Sequence, residues 1–221
     1  MSNDITKFFS GHQQAPARDK LSEALAGFSA GKNALLGKAL LRFTKQGTWI
    51  FGVDNELLAP GARLVLNPAS MSKGYVAWYQ SKIEGEVMQP LSLGPVDPSK
   101  LPPVNSGSIP PGGKAPSGRG WEDQASIEAV TQSEIPLCMI YKTSSLGGMK
   151  VLLDLASTIV MGFAENPKRA YPVVELGADS YQHKEYGQVF TPIIEVVGWL
   201  DVNGEPVEDF AKIGNKGKSL L

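Results

Sequence analysis

From Ala39 onward, apolar and polar residues follow recognisable periods, whereas residues 1–37 are rich in Gly, Ala, Ser and Gln and show little regularity. Ala39, Leu41 and Phe43 take alternate positions; Lys45-Gln46-Gly47 follows, then the apolar run 48–53. That pattern predicts a β-hairpin with a Gly-containing turn. Pro60-Gly61 marks the next turn, and 63–66 reads as a short strand ended by Asn67-Pro68. Further strands are expected at 73–80, 85–88, 121–130 and 137–141. The period then changes: Met149, Leu152, Leu153, Ala156, Ile159, Val160 and Phe163 predict a helix over about 148–163, with Ser145 placed to cap it and Pro167 beyond its end. A strand at 171–176, a polar turn through Asp179–Ser180, and a Val/Ile/Phe/Trp-rich strand at 188–200 complete the ordered pattern. Within the first 37 residues only 19–28 suggests a short helix, with Leu21, Leu25 and Phe28 on one face.

Seven or eight short strands, one convincing helix and no βαβ alternation predict a mainly β fold with one or two helices. The order strand, strand, helix, strand, strand over 121–200 is that of an OB-like Greek-key barrel. Residues 90–120 interrupt it: eight Pro, six Gly and five Ser leave too little apolar surface to offset the entropy of ordering, so this stretch is expected to be an inserted loop without secondary structure. The expected organisation is a flexible basic N-terminal arm at 1–37, an OB-like domain at 38–200 carrying that loop, and a flexible tail at 201–221.

The single cysteine, Cys138, excludes an internal disulfide framework, and with only two histidines a His/Cys metal site is not expected. No cofactor is expected. Residues 1–20 lack an apolar signal core, and the apolar stretch 149–163 is short for a bilayer and carries Lys150 and Asp154, so a reducing, intracellular setting without membrane contact is expected. The net charge of −1 hides an asymmetry: residues 1–45 hold seven Lys/Arg against three Asp/Glu, and the remainder is acidic. A basic arm on an acidic body suits phosphate contact, or is a solvated leader.

Motifs for enzymatic chemistry are missing. Gly217-Lys218-Ser219 ends like a P-loop, but position 212 is Lys and no helix follows. There is no G-x-G-x-x-G between strand and helix and no G-x-S-x-G elbow. Cys138 lies mid-strand and reads as a structural thiol, not a nucleophile. The acidic residues do not cluster as a two-metal nuclease requires.

Other residues suit nucleic acid. Arg42, Lys45 and Trp49 share the first hairpin with Phe43, and Lys73, Tyr75 and Trp78 share a later strand; cations interleaved with aromatic rings make a stacking platform, although strand aromatics often serve a core. Ser144 and Ser145, with Gly147, Gly148 and Lys150, open the helix and either cap it or meet a phosphate. Tyr181, His183, Lys184 and Tyr186 crowd one loop or strand edge. In an extended segment Tyr181 and His183 share one face, and Lys184 and Tyr186 the other, so one tyrosine is expected to stack on a base and the other to close the core.

The segments TSSxGG (143–148), YPVVEL (171–176), YxHKxYG (181–187) and VVGW (196–199), with GxWxxG at 47–52 and WxxQ at 121–124, resemble a family of phage and prophage proteins of uncharacterised role. The resemblance spans about residues 40–200, implies a phage origin and transfers no catalytic residue. Together these readings lead to an expected non-catalytic, single-stranded DNA-binding protein of a bacteriophage. It would act in the host cytoplasm in replication or recombination, with phage or host replication or recombination proteins as further partners and its oligomeric state open. The alternative is a phage structural or host-protein-interaction protein.

Overall fold

The computed structural model describes residues 37–105, 120–133 and 136–207. The N-terminal arm to residue 36 with its expected helix, residues 106–119 of the Pro/Gly-rich stretch and the tail from 208 lie outside the described residues.

The first alternating segment forms the expected hairpin. Strands β1 (Ala39–Phe43) and β2 (Trp49–Phe51) pair antiparallel. Between them Gly47 sits at φ +78°, a left-handed conformation that glycine adopts without strain. A short β3 (Glu56–Leu57) adds to β2. Then come β4 (Arg63–Tyr79), β5 (Lys82–Pro90), β6 (Trp121–Thr131), β7 (Cys138–Thr143), the helix α1 (Leu146–Glu165), β8 (Tyr171–His183) and β9 (Gly187–Leu200). More than half of the described residues lie in strands. The strands form one sheet in the order β3-β2-β1-β7-β6-β4-β8-β9, with β5 on the far end of β4. Every pairing is antiparallel except β1 with β7. The sheet curls into a half-barrel, so the protein is mainly β with one helix and OB-like in shape. Residues on both sides of the Pro/Gly-rich stretch share this sheet, because β4 pairs β6 and β1 pairs β7.

Several boundaries differ from expectation. Residues 63–66 and 73–80 are one strand: β4 continues through Asn67-Pro68, where its register against β6 jumps from Asn67↔Glu128 to Ser72↔Ser126. The turn signal is real but is used as a bulge. β8 likewise runs through Asp179–Ser180, which pair with Thr191 and Phe190. The start of the Pro/Gly-rich stretch is not structureless. It holds 3-10 turns at Leu91–Leu93 and Pro98–Lys100, and it is tied to the sheet by Trp121 Nε1 donating to Pro102 O (2.9 Å) and by Gln89 Nε2 donating to Leu93 O (2.9 Å). At twenty residues α1 is also longer than expected, and its length and composition suffice to cross a membrane.

One face of the sheet and one face of α1 share a core. Leu41, Trp49, Leu64, Leu66, Ile127, Met139, Tyr141, Val174 and Leu176 of the strands meet Leu152, Leu155 and Ile159 of the helix. Burying each such aliphatic side chain contributes about 1.5–3 kcal/mol. The opposite face carries a smaller cluster of Val65, Val130, Val173 and Leu200. β9 and α1 run in the same direction: Gly147 lies near Thr191 and Pro192, and Gly162 lies against Trp199. At Gly162 an added Cβ would sit 2.2 Å from the indole ring, which itself packs on Phe163 (5.7 Å) and under the Arg169 guanidinium (5.3 Å).

This contact yields a decisive test. Helix propensity alone favours Gly162→Ala by about 1 kcal/mol. Overpacking against a ring held on two sides costs about 1–3 kcal/mol. The variant is therefore expected to melt below the parent in thermal unfolding; a higher melting temperature would show that Trp199 yields freely.

Candidate nucleic-acid interface

The residues singled out in the first hairpin are mostly occupied. Trp49 is 6% exposed, packs on Phe43 (5.1 Å) and Tyr141 (5.2 Å), and donates Nε1–H to Gly177 O at 2.8 Å. It is a core residue that ties β2 to β8, so it offers no ring to a base, contrary to the stacking expectation. Arg42 lies on the opposite face of β1 from Leu41, where its Nη2 donates to Gly52 O (2.9 Å) and to Asn55 Oδ1, clamping the turn after β2. Lys45 stands exposed at the hairpin tip.

The second platform also divides. Along β4, Lys73 and Tyr75 point to one face and Trp78, 38% exposed, to the other. Lys73 is paired with Asp123 at 3.4 Å, and Tyr75 is half-buried. These three side chains do not form one continuous surface.

At the start of α1, Ser145 caps the helix: its Oγ accepts the Gly148 N–H (3.1 Å) and lies 3.0 Å from Thr143 Oγ1. Gly148 is required there, because a Cβ would fall 2.2 Å from Thr143 Oγ1 and 2.8 Å from the Tyr141 hydroxyl. Ser144 is half-buried, and Lys150 is exposed one turn into the helix. The capping expectation is met by these bonds. The Tyr141 hydroxyl titrates above its usual value because burial disfavours its anion.

The β8–β9 hairpin carries the clearest array. Beyond Gly177 its residues become exposed, and the hairpin extends as an arm. Tyr181 (52% exposed), half-buried His183 and Tyr186 (71% exposed) line one side of its tip; the ring centroids are 6.5 Å apart for Tyr181–His183 and 4.7 Å for His183–Tyr186, the latter pair stacked. This corrects the strict alternation expected of 181–186. His183 Nδ1 accepts the N–H groups of Glu185 (3.1 Å) and Tyr186 (3.2 Å), which bends the chain into a tight turn and returns Tyr186 to the side of His183. Neither tyrosine closes the core. Because Nδ1 accepts two bonds, the neutral imidazole carries its proton on Nε2. Lys184 is exposed in the same turn. Val189, the partner of Tyr181 across the hairpin, lies on this side of the arm, within the run 188–200 that its Val, Ile, Phe and Trp content marks as a strand.

Contacts at the base of the arm bring the hairpin tip and the helix start to one end of the molecule. Phe190 occupies the space beside Gly47, and Gly147 approaches Thr191 and Pro192. The backbone thus collects Lys45, Ser145, Lys150 and the arm at that end. Phe190 faces the hairpin tip and, by alternation, the aromatic row faces away from it.

No group of His, Cys, Asp and Glu able to hold a metal occurs among the described residues. Cys138 is partly buried, and its thiol is pushed up chiefly by burial. No protein-family model, no curated protein and no solved structure matches this chain.

Two outcomes follow. Ser145→Ala is expected to lower stability by about 1 kcal/mol, whereas Lys150→Ala changes it by under about 0.5 kcal/mol; urea unfolding of both variants checks the contrast. At pH 8 the Cys138 thiol is expected to alkylate several-fold more slowly in the folded chain than in urea. A faster folded-state reaction would mark an activated thiol.

Proposed function

We propose that this chain is a non-catalytic, single-stranded DNA-binding protein whose main contact is the aromatic row on the β8–β9 arm. The observation that carries the reading is the row of exposed Tyr181, half-buried His183 and exposed Tyr186, with Lys184 in the same turn. Two exposed tyrosine rings on either side of a half-buried imidazole, one stacked on it and one edge-on to it, suit unpaired bases of any identity, and the adjacent ammonium suits the backbone phosphate. An OB-like half-barrel is compatible with such a role, and its Greek-key order belongs to the same proposal. The motif resemblance supports a phage origin, and a place in replication or recombination in the host cytoplasm belongs to the same proposal.

A second reading, a phage structural or host-protein-interaction protein, is favoured by a different observation. Helix α1 leaves Leu146 (91%), Leu153 (68%), Val160 (66%) and Met161 (63%) exposed, more apolar surface than a lone helix face needs in water.

Titration of fluorescein-labelled oligo(dT) separates the two. Both Tyr181→Ala and Tyr186→Ala are expected to weaken binding by about 1–3 kcal/mol, roughly 5- to 150-fold, at an unchanged melting temperature. If both variants bind like the parent, or the parent does not bind at all, the DNA reading fails and the interaction reading stands.

A further inference from the structure

Helix α1 carries two stripes of the same period on opposite faces. Gly148, Leu152, Leu155, Ile159 and Gly162, spaced alternately by four and three residues, are buried on the sheet side. Leu146, Lys150, Leu153, Ser157, Val160 and Ala164 repeat that spacing on the far side, and all of them are exposed. Steps of three and four keep residues on one face, so the second set is a continuous seam. The outer face of a helix packed on a soluble fold is normally polar. Here Leu146, Leu153 and Val160, each seven residues from the next, are apolar, and exposed Met161 widens the seam.

The seam loses little when water leaves it. The Ser157 hydroxyl, midway along, donates to Leu153 O of its own helix (3.1 Å), so covering it strands no donor. Asp154 and Thr158 lie off the seam, on the flank facing β9. Charge sits toward the two ends. Lys150 stands just past the first turn, and Glu165 closes the last, where its Oε2 accepts from Arg169 Nη1 (2.7 Å). A helix dipole favours carboxylates at the N-terminus and cations at the C-terminus. The first turn of α1 holds no acidic residue and its last turn no basic one, so both charges stand at the wrong end of their own helix.

Both stand at the right end for an antiparallel copy. We infer that α1 is the contact of a two-fold symmetric dimer, in which the seams of two copies of this chain pack antiparallel about an axis near Ser157. Turned end for end, the second α1 brings its Glu165 and its C-terminal carbonyls to Lys150, and the symmetric contact forms at the other end. Ser157 lies midway between Lys150 and Glu165, which fixes the axis there. Leu153 then falls beside Val160 and Met161 of the second copy, and the small Ser157 and Ala164 let the backbones approach. Parallel packing would instead set Lys150 against Lys150. A lipid surface fits less well: helices that lie on membranes flank the apolar face with Lys and Arg, whereas Asp154 and Glu165 flank this one. Two helices about 30 Å long, touching along one seam, bury less than about 1,200 Å², so the association is expected to be weak and concentration-dependent. It does not depend on whether the arm binds DNA.

Sedimentation velocity of the full chain, from micromolar to submillimolar concentration, tests this first. A shift from monomer to dimer is expected; monomer throughout overturns the proposal, whether or not phosphatidylglycerol vesicles take up the chain. Leu153→Glu, at an exposed position, is expected to raise the dissociation constant at least about tenfold, because the dimer would bury an unpaired carboxylate. An unchanged constant places the dimer contact on another face and overturns the proposal. Orientation is read by oxidising Cys138→Ser chains that carry one new cysteine. Ser157→Cys is expected to join two copies by a disulfide. Lys150→Cys is not, because antiparallel packing holds the two copies of that position about 20 Å apart along the helices. Ready cross-linking of Lys150→Cys without Ser157→Cys signifies parallel packing and overturns it. Should the Cys138→Ser chain fail to fold, sedimentation of the parent and of Leu153→Glu decides alone.

Discussion

The fold hangs on one strand that changes partners in mid-course. β4 is seventeen residues long and serves three neighbours: β8 along its first residues, β6 along most of its length and β5 along its last half. A flat strand cannot do this within a curled sheet, and the bulge at 68–71 supplies the bend. A bulge breaks ladder bonds, and here side chains replace them. Asn67, 3% exposed, accepts the Ala69 N–H on Oδ1 (3.2 Å); Ser70 Oγ donates to Asn67 O (2.6 Å) and accepts the Glu128 N–H (2.9 Å). Pro68 carries no N–H to leave unpaired, and Met71 drops into the core beyond the bend.

That bend determines how the sheet closes. With β4 turned, the β8–β9 hairpin swings toward β2, and the two ends of the sheet meet through side chains instead of a ladder: Trp49 reaches Gly177 O and Phe190 covers Gly47. Closure through the Trp49 indole bond and the Phe190–Gly47 contact leaves the strand edges themselves unpaired along most of their length among the described residues. It also releases the outer part of the hairpin, beyond Gly177, as an arm with no sheet behind it. The exposed rings and the unpaired edge of β9 are thus two results of one incomplete closure, one on the arm and one beside α1.

What the sequence revealed and what it hid follow from the range of the interactions involved. The first hairpin and the cap at Ser145 are decided within a few residues, and both are legible in period and composition. The misreadings lie where one local signal serves two structures. Asn67-Pro68 carries the same chemistry whether it ends a strand or bulges it, and only the distant Ser70–Glu128 bond selects the bulge. Asp179–Ser180 look like a turn because their strand is exposed on both sides, so no burial pattern marks it. Trp49 and Tyr181 are both aromatic residues on strands, and which is core depends on partners 128 and 8 residues away. Alternation puts Tyr186 on the wrong face because it fails once His183 gathers two backbone N–H groups into a turn.

The electrostatics decide which part of a DNA contact would dominate on the proposed reading. Lys38, Arg63, Lys73, Lys100, Lys142 and Arg169 each sit in an ion pair with a carboxylate of the same chain. Arg42 is committed to a backbone carbonyl. Cations so engaged gain little by exchanging a carboxylate for a phosphate, because the freed carboxylate then repels the same strand. With few phosphates neutralised, few counterions are released, and the salt dependence of single-strand binding, about 0.7 per neutralised phosphate, stays shallow. Affinity must then rest on stacking, at about 1–3 kcal/mol per ring. Three rings on one arm are enough for a weak, sequence-tolerant contact, and tight binding would require several arms on one strand or the cations of residues 1–36.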